Sequence, residues 1–251
     1  GTAWRTYSAA KTFTIKAPVG FSSQFNGSMK YWSWKAGGTW QVSSSYMYTN
    51  GMGDSFSSVY RNTAQFENFD YSARVKRVGG GSLMFQPANY LAVRMGTGVN
   101  SYENNDWYPG YWFGITFDHL LYESYASFAI FEANSDGSYT TKQPWTHTPA
   151  IKLNDWNILR VVASGSTFRF YVNNTLVYIL SDTTRSKGYV GFQMYKSYGT
   201  TTQFQVDWAT LSIVNPTTLT EVISPEQEAL NQAALMNSTP SSIEGDYLDI
   251  K

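Results

Sequence analysis

The chain has 251 residues, of which 42% are hydrophobic and 17% aromatic, and its formal net charge is zero. With 18 basic and 18 acidic residues it lacks the basic excess that nucleic-acid binding requires, and no apolar run is long enough for membrane insertion. The absence of cysteine excludes disulfides, thiol nucleophiles and cysteine-ligated zinc.

Segments with a period of two residues dominate the chain up to about residue 214. Glycine, asparagine and aspartate turns separate them, and Asp136-Gly137 is typical of a hairpin tip. No helical period precedes residue 224. Closely spaced strands with such turns favour an all-β sandwich over a sheet with crossover helices. We predict about ten to twelve strands, which include Gly38 to Val42, Tyr46 to Thr49, Phe69 to Arg77, Tyr90 to Met95, Tyr111 to Phe117, Tyr125 to Glu132, Asn157 to Ala163, Thr167 to Val172, Leu176 to Leu180, Tyr189 to Tyr195 and Gln203 to Val214.

The C-terminal segment has a different pattern. Ser224 is a suitable N-cap, Pro225 a suitable first residue, and Glu226 lies in the first turn. These residues predict a helix over about 225–236, which Pro240 and its polar neighbours end. We therefore divide the chain into a sandwich domain, residues 1–214, and an extension, residues 215–251, with this helix and a polar tail.

Three stretches resemble the concanavalin A-like (laminin-G-like) superfamily. Gly38-Thr39-Trp40-Gln41-Val42 resembles an early strand. Asp155 to Val161 with Phe168 to Asn173 resembles a central hairpin, and Gly188 to Gln193 with Gln205 to Leu211 resembles the closing pair. The resemblance covers roughly residues 20–214 and implies a two-sheet antiparallel jelly-roll sandwich. It also implies a saccharide or polysaccharide as partner, because the superfamily includes bacterial sugar-binding modules and glycosidases.

Glucanases of this superfamily carry a strand motif, E-x-D-x-(x)-E, that supplies two carboxylates to the cleft. Glycoside hydrolysis needs such a pair, and nothing in this sequence matches the motif. Glu132 lies on a predicted strand, but the nearest acidic residue, Asp136, lies beyond the strand end. A pair from distant strands stays open, so we predict a non-catalytic sugar-binding domain and keep a hydrolase or lyase as the alternative. A structural or protein-interaction module is the third interpretation.

Residues 103–112 form the richest aromatic stretch. Aromatic faces stack on the apolar C–H faces of sugar rings, and carboxylates and amides bond the hydroxyls around them. Asp106, Trp107, Tyr108 and Trp112 are therefore candidate ligand-binding residues. The equally open alternative is that Trp107 and Tyr108 pin the loop onto the sandwich.

Strand phase suggests a second candidate surface. Alternate residues of a strand point to opposite faces of the sheet. We expect one apolar set of such residues in the core: Leu91, Val93, Met95, Phe113, Ile115, Phe128, Ile130, Val190, Phe192 and Met194. The opposite phase has the character of a polar ligand groove, and its members are Arg74, Arg94, Trp112, Thr116, Glu132, Gln193 and Tyr195. Arg94 and Glu132 could instead form a cross-strand ion pair without a ligand.

The remaining polar residues give weaker signals. His119 and His147 have no second histidine at metal spacing, so we predict no zinc site, and the prolines around His147 indicate a loop. Two oxygen-rich turns, residues 103–106 and 134–138, are candidates for a structural calcium, although neither supplies the six ligands that calcium needs. The low charge and many tyrosines and serines are typical of exported bacterial β-domains, so we expect a secreted, cell-surface or periplasmic protein. No protein partner can be named.

Overall fold

The computed structural model describes residues 18–80, 87–100, 104–120 and 123–215. The predicted C-terminal helix and tail lie outside these residues. Among the described residues no helix is long and apolar enough to cross a bilayer. All regular structure there is β, in strands that we number along the chain as β1 (Phe21–Gln24), β2 (Trp32–Ala36), β3 (Trp40–Val42), β4 (Met47–Thr49), β5 (Ser55–Arg61), β6 (Phe69–Gly80), β7 (Ala88–Met95), β8 (Gly98–Val99), β9 (Trp107–Tyr108), β10 (Gly110–Leu120), β11 (Glu123–Ala133), β12 (Tyr139–His147), β13 (Asn157–Ser164), β14 (Thr167–Val172), β15 (Thr175–Ser181), β16 (Tyr189–Lys196) and β17 (Thr201–Ile213).

The strands form two antiparallel sheets, as the sequence predicts. One has eight strands in the order β15-β14-β13-β6-β17-β4-β3, with β1 paired to β17 beside this path. The other has seven, in the order β12-β11-β10-β7-β16-β5-β2. A small ribbon of β8 and β9 stands apart from both. Strands distant in sequence, such as β7 and β16, become neighbours at the centre of the seven-stranded sheet.

The hydrophobic core lies between the two sheets. Phe113 of the seven-stranded sheet packs against Phe170 of the eight-stranded sheet, with ring centroids 5.3 Å apart. Phe192 meets Phe204 across the same layer at 6.1 Å. Nine of the ten residues that strand phase assigned to the core lie in it, and the exception is Met95. Met95 lies on the opposite side because Arg94 has a positive φ of 48°, which breaks the alternation of the strand.

Several strands are missing from the sequence prediction. Residues 144–149 were interpreted as a loop. This is wrong for residues 144–147, because Pro144 and His147 belong to β12. This strand is the edge of its sheet, where proline costs no ladder hydrogen bond, and its register with β11 is irregular. The serine-rich β5 was also not predicted, although it is an inner strand of the seven-stranded sheet.

Candidate functional site

The outer side of the seven-stranded sheet, opposite the core, is covered with aromatic rings. The rings come from six different strands of the sheet. The centroid of Phe56 lies 5.2 Å from that of Trp112 and 5.0 Å from that of Tyr195. Tyr90 lies 5.9 Å from Trp112. We call this surface the aromatic face and define it by Phe56, Tyr90, Trp112, Phe131, Trp145 and Tyr195.

Small residues alternate with the rings and leave room for them on this side of the sheet. A Cβ atom at Gly114 would come within 2.5 Å of the Tyr90 ring and 3.1 Å of the Trp145 ring. Ala88, Ala92 and Ala129 are buried among the same residues. The alternation of alanine or glycine with aromatic residues therefore produces a continuous layer of packed aromatic rings on this side of the sheet.

The loop that carries β8 and β9 covers one part of this side. Trp107 is fully buried, and its indole Nε1 donates a hydrogen bond to the carbonyl of Gly96 at 2.8 Å. Its ring lies over Gly191, where a Cβ would approach it to 2.9 Å. The indole of Trp112, 1% exposed, donates to the carbonyl of Trp107 at 3.1 Å. Trp107 thus pins the loop onto the sheet, while Tyr108 beside it is half-buried.

Gln193 lies at the centre of the seven-stranded sheet and is fully buried. Its Oε1 accepts hydrogen bonds from the hydroxyl of Ser58 at 2.8 Å and from the backbone N–H of Trp107 at 3.2 Å. Because a backbone N–H can only donate, this contact fixes which end of the amide is the oxygen. Gln193 Nε2 then has no partner among the described residues, and the same holds for Ser127 Oγ on the same side of the sheet.

The part of the aromatic face that is open to solvent carries further hydrogen-bonding groups. Tyr195 and Trp145 are half-buried, and Tyr139 at the edge is 37% exposed. Within the described part of the chain, no hydrogen bond engages the hydroxyls of Tyr90 and Tyr195 or the indole N–H of Trp145. Burial raises the pKa of Tyr90, and the neighbouring Tyr195 and Tyr139 raise it further. Burial and then Asp54 raise the pKa of Tyr195. Both phenols are therefore neutral donors at physiological pH.

The alternation of the strands placed Trp112, Gln193 and Tyr195 together, and these residues do lie on the outer side of this sheet. Arg94 does not join them. Arg94 is 1% exposed, and its guanidinium lies over the ring of Phe168, 4.5 Å from the ring centroid. The guanidinium donates hydrogen bonds to the backbone carbonyls of Gly165, Glu67 and Arg185, at 2.7, 2.8 and 2.6 Å. The positive φ at Arg94 turns the side chain toward these loops. Arg94 therefore ties loops together at the end of the sandwich.

Glu132 also lies apart from the aromatic face. It is the cross-strand partner of Tyr111, whose ring belongs to the core side of the sheet. Its carboxylate lies 2.8 Å from Lys142 Nζ, and the same ammonium lies 2.9 Å from the carboxylate of Asp182. Burial alone would raise the pKa of Asp182, but hydrogen bonds from Thr184 and Lys142 hold it well below its ordinary value. The cross-strand pair with Arg94 is not formed, and this cluster joins β11 and β12 to the segment after β15.

The other candidate residues are dispersed. Arg74 lies on the eight-stranded sheet, where it pairs with Asp207 at 2.5 Å and stacks on Trp156 at 4.8 Å. Thr116 is buried and donates to the carbonyl of Pro87 at 3.0 Å. Asp106 is 3% exposed in the loop under β9. The arginine-rich groove predicted from strand phase is therefore not a single surface.

The metal candidates have local explanations. Asp136 accepts hydrogen bonds from the backbone N–H and the hydroxyl of Ser138, at 3.0 and 2.7 Å, within the hairpin turn. His147 Nδ1 lies 3.1 Å from the carbonyl of Ala126. Across residues 18–80, 87–100, 104–120 and 123–215, no group of three or more histidine, aspartate or glutamate side chains is placed to hold a metal. A structural calcium stays a prediction.

Sequence reasoning missed Tyr90, Phe56, Phe131 and Trp145 as parts of the site. The signal was present in the alternation Ala88-x-Tyr90-x-Ala92 and Trp112-x-Gly114, in which small residues accompany large rings on one phase of a strand. The order of the strands in the sheet decides which of these residues become neighbours, and the sequence pattern does not contain that order. Ser58 of β5 and its neighbour Gln193 of β16, for example, are 135 residues apart in sequence.

Comparison with known proteins identifies a matching family and structures of similar fold. The sequence profile of a family described as 3-keto-alpha-glucoside-1,2-lyase-like domain matches residues 20–208. No curated protein sequence matches the chain.

Many solved structures resemble it, and three of them serve as examples. The Emp47p carbohydrate recognition domain has a TM-score of 0.55 at 10% identity, over 80% of this chain and 100% of that one. A Bacillus licheniformis β-glucanase has a TM-score of 0.53 at 10% identity, over 79% and 100%. A legume lectin-like domain from Entamoeba histolytica has a TM-score of 0.51 at 14% identity, over 74% and 91%. At these identities the likeness shows the concanavalin A-like jelly-roll fold, as predicted.

Proposed function

Since the chain belongs to the family of 3-keto-alpha-glucoside-1,2-lyase-like domains, we propose that it binds a saccharide on the aromatic face of its seven-stranded sheet. One observation carries the proposal. Tyr90, Tyr195 and Trp145 hold hydrogen-bonding groups among packed rings, and none of these groups has a partner in the described part of the chain.

A saccharide complements this arrangement chemically. Aromatic rings cover the apolar C–H face of a sugar ring, and the hydroxyls around that ring both donate and accept hydrogen bonds. The tyrosine hydroxyls can do both, whereas the Trp145 indole only donates. Binding sites of this kind are largely apolar with few polar groups that fix orientation. The half-buried Tyr195 and Trp145 would contact the ligand, and the buried Trp112 and Phe56 would support them.

The test is a glycan array followed by titration calorimetry on the best ligand. Trp145→Ala removes a stacking ring and Tyr195→Phe removes one hydroxyl, and each should weaken binding about fivefold or more. Trp156→Ala is the matched control, because Trp156 is a half-buried tryptophan on the other sheet. If no glycan binds at millimolar concentration, or if the control weakens binding equally, the proposal fails.

The family description favours a second candidate, a lyase or hydrolase that acts on a glycoside. Such chemistry needs an acid and a base beside the substrate. On the aromatic face burial raises the pKa of the Tyr90 and Tyr195 hydroxyls, so both stay protonated and can donate hydrogen bonds but do not supply a base. Of the buried carboxylates in the described part of the chain, Glu132 and Asp182 are both engaged by Lys142, and Asp106 lies in the loop before β9.

The two candidates separate in an activity assay with a 3-keto-glucoside and with mixed polysaccharides. Release of reducing sugar that Tyr90→Phe abolishes would assign the chemistry to the aromatic face. Loss in Glu132→Gln with an unchanged fold would assign it to the carboxylate cluster. If the wild-type chain releases no reducing sugar, saccharide binding is the candidate function that remains. The secreted or cell-surface location stays a prediction from composition.

A further inference from the structure

Arg61, at the end of β5, is a buried arginine that has no carboxylate partner in the part of the chain that the structure describes. The residue is 8% exposed, and its guanidinium lies between the rings of Phe21 and Tyr31, at 4.7 and 4.8 Å from their centroids. One long hydrogen bond, 3.4 Å, joins it to the carbonyl of Lys30. Its Nε is buried and has no partner among the described residues. We call Phe21, Lys30, Tyr31 and Arg61 the Arg61 corner.

Arg77 and Arg94, which are 2% and 1% exposed, have more hydrogen bonds to backbone carbonyls than Arg61. Arg94 donates to three backbone carbonyls, and Arg77 donates to those of Pro87 and Phe117 at 2.6 and 3.0 Å. A guanidinium has five N–H donors and cannot lose its charge. Burying it without compensating groups is costly. The cation–π contacts at Arg61 offset part of this cost, but they leave the buried Nε–H without an acceptor among the described residues.

The surroundings of Arg61 are positively charged. Lys30 is exposed, lies with Nζ 4.9 Å from the centroid of Tyr31, and has no ion pair among the described residues. Between residues 18 and 61 the sequence has three basic residues and a single acidic one, Asp54. Asp54 accepts a hydrogen bond from the backbone of Tyr198. Lys30 and Arg61 therefore both lie near the Tyr31 ring, and neither has a carboxylate partner within the described residues.

Tyr31 is held over Arg61 in an unfavourable backbone conformation. Its φ is 69°, in the left-handed region that a bulky residue rarely adopts, and its ring is 49% exposed. A hydrogen bond of 3.1 Å from Asn62 N to its carbonyl holds this turn against the strand that carries Arg61. Strain of this kind persists where the surroundings enforce it, often beside ligands.

We propose that the Arg61 corner binds an oxyanion, such as the carboxylate of an acidic saccharide or a phosphate group. Arginine matches both in geometry and charge. Lys30 adds charge from solvent, and the exposed Tyr31 ring offers a stacking surface for the group that carries the anion. The corner is separate from the aromatic face, because Arg61 is paired with Trp32 on the core side of its sheet. Failure of one proposal therefore does not imply failure of the other.

The experiment titrates the intact chain with trigalacturonate, inorganic phosphate and neutral maltotriose, at low and high salt. Arg61→Met keeps a side chain of similar length between the two rings and removes the charge. It should weaken binding of the anion about tenfold or more, and Lys30→Ala should weaken it about threefold. Lys152→Ala, which changes an exposed lysine in another loop, should have no effect.

The melting temperature separates a binding role from a purely structural one. If Arg61 serves a ligand, Arg61→Met folds and melts at the same or a higher temperature, because an uncompensated buried charge is removed. Binding of trigalacturonate but not phosphate identifies an acidic saccharide, and the reverse identifies a phosphate ligand. Absence of binding by both anions, maltotriose binding that Arg61→Met weakens equally, or a lower melting temperature with unchanged anion binding would overturn the proposal.

Discussion

The backbone N–H of Trp107 donates a hydrogen bond to Oε1 of Gln193 across 86 residues of sequence, at 3.2 Å. This contact joins the loop with β8 and β9 to the centre of the seven-stranded sheet. It also turns the amide of Gln193 so that its Nε2 is left without a protein partner within the described residues. The stability of the loop and the polarity of the site therefore depend on the same side chain.

Gln193→Leu should loosen this loop. The change removes the acceptor for Trp107 N and for Ser58 Oγ, and an unpaired buried donor costs about 1–3 kcal/mol. Hydrogen exchange of the Trp107 amide should become faster, while amides in β13 keep their protection. Unchanged exchange at Trp107 would show that the loop is held without Gln193.

Gly114→Ala should disturb the aromatic face. The new Cβ would lie 2.5 Å from the Tyr90 ring, so Tyr90 and Trp145 must move, and overpacking of this kind costs about 1–3 kcal/mol. Saccharide binding should weaken together with stability. Gly53→Ala is the control, because its Cβ would meet no atom closer than 3.8 Å. Equal effects in denaturant unfolding of both variants would contradict the packing described for Gly114.

Lys142→Met should be among the most destabilising surface-accessible changes. It would leave the carboxylates of Glu132 and Asp182, with side chains 6% and 7% exposed, beside each other without their shared cation. Removing one partner of a buried ion pair costs about 3–5 kcal/mol, and Arg185 Nε, which stays 3.9 Å from Glu132 Oε1, should reduce this cost. Arg74→Met breaks the more exposed pair with Asp207 and should cost about 1 kcal/mol or less. Chemical denaturation measures both.

The same cluster predicts a dependence of stability on pH. The folded pKa of Asp182 lies below its unfolded value, which is about 3.9 for aspartate. Its contribution is therefore present above that value and is lost as pH falls toward the folded pKa. In a series of melting temperatures from neutral to acidic pH, Asp182→Asn should flatten the acidic decline. A decline as steep as in the wild type would mean that other carboxylates cause it.

The sheets could be predicted from sequence better than the site. Alternation such as Phe168-x-Phe170-x-Val172 reports a local property of the backbone, so core residues and most strands were predicted correctly. The site depends on which strands are neighbours and on single residues that break the alternation. Arg94 is the clearest example, because its positive φ moves it and Met95 to sides that a strict period of two does not predict. The assignment of Glu132 to the groove was wrong by the same rule of alternation, because Glu132 has the parity of Phe128 and Ile130 and lies on their side of the sheet. Its partners Lys142 and Asp182 come from segments that the pattern could not bring together.

The most direct test of saccharide binding at the aromatic face uses the indole N–H resonances of the tryptophans in a nitrogen–proton correlation spectrum. Trp145 Nε1 has no hydrogen bond among the described residues, whereas those of Trp107 and Trp112 bond to backbone carbonyls. On titration with a bound glycan, the Trp145 resonance should shift most, and the resonance of Trp156 on the other sheet should stay in place. A largest shift at Trp156, with Trp145 unchanged, would contradict the account.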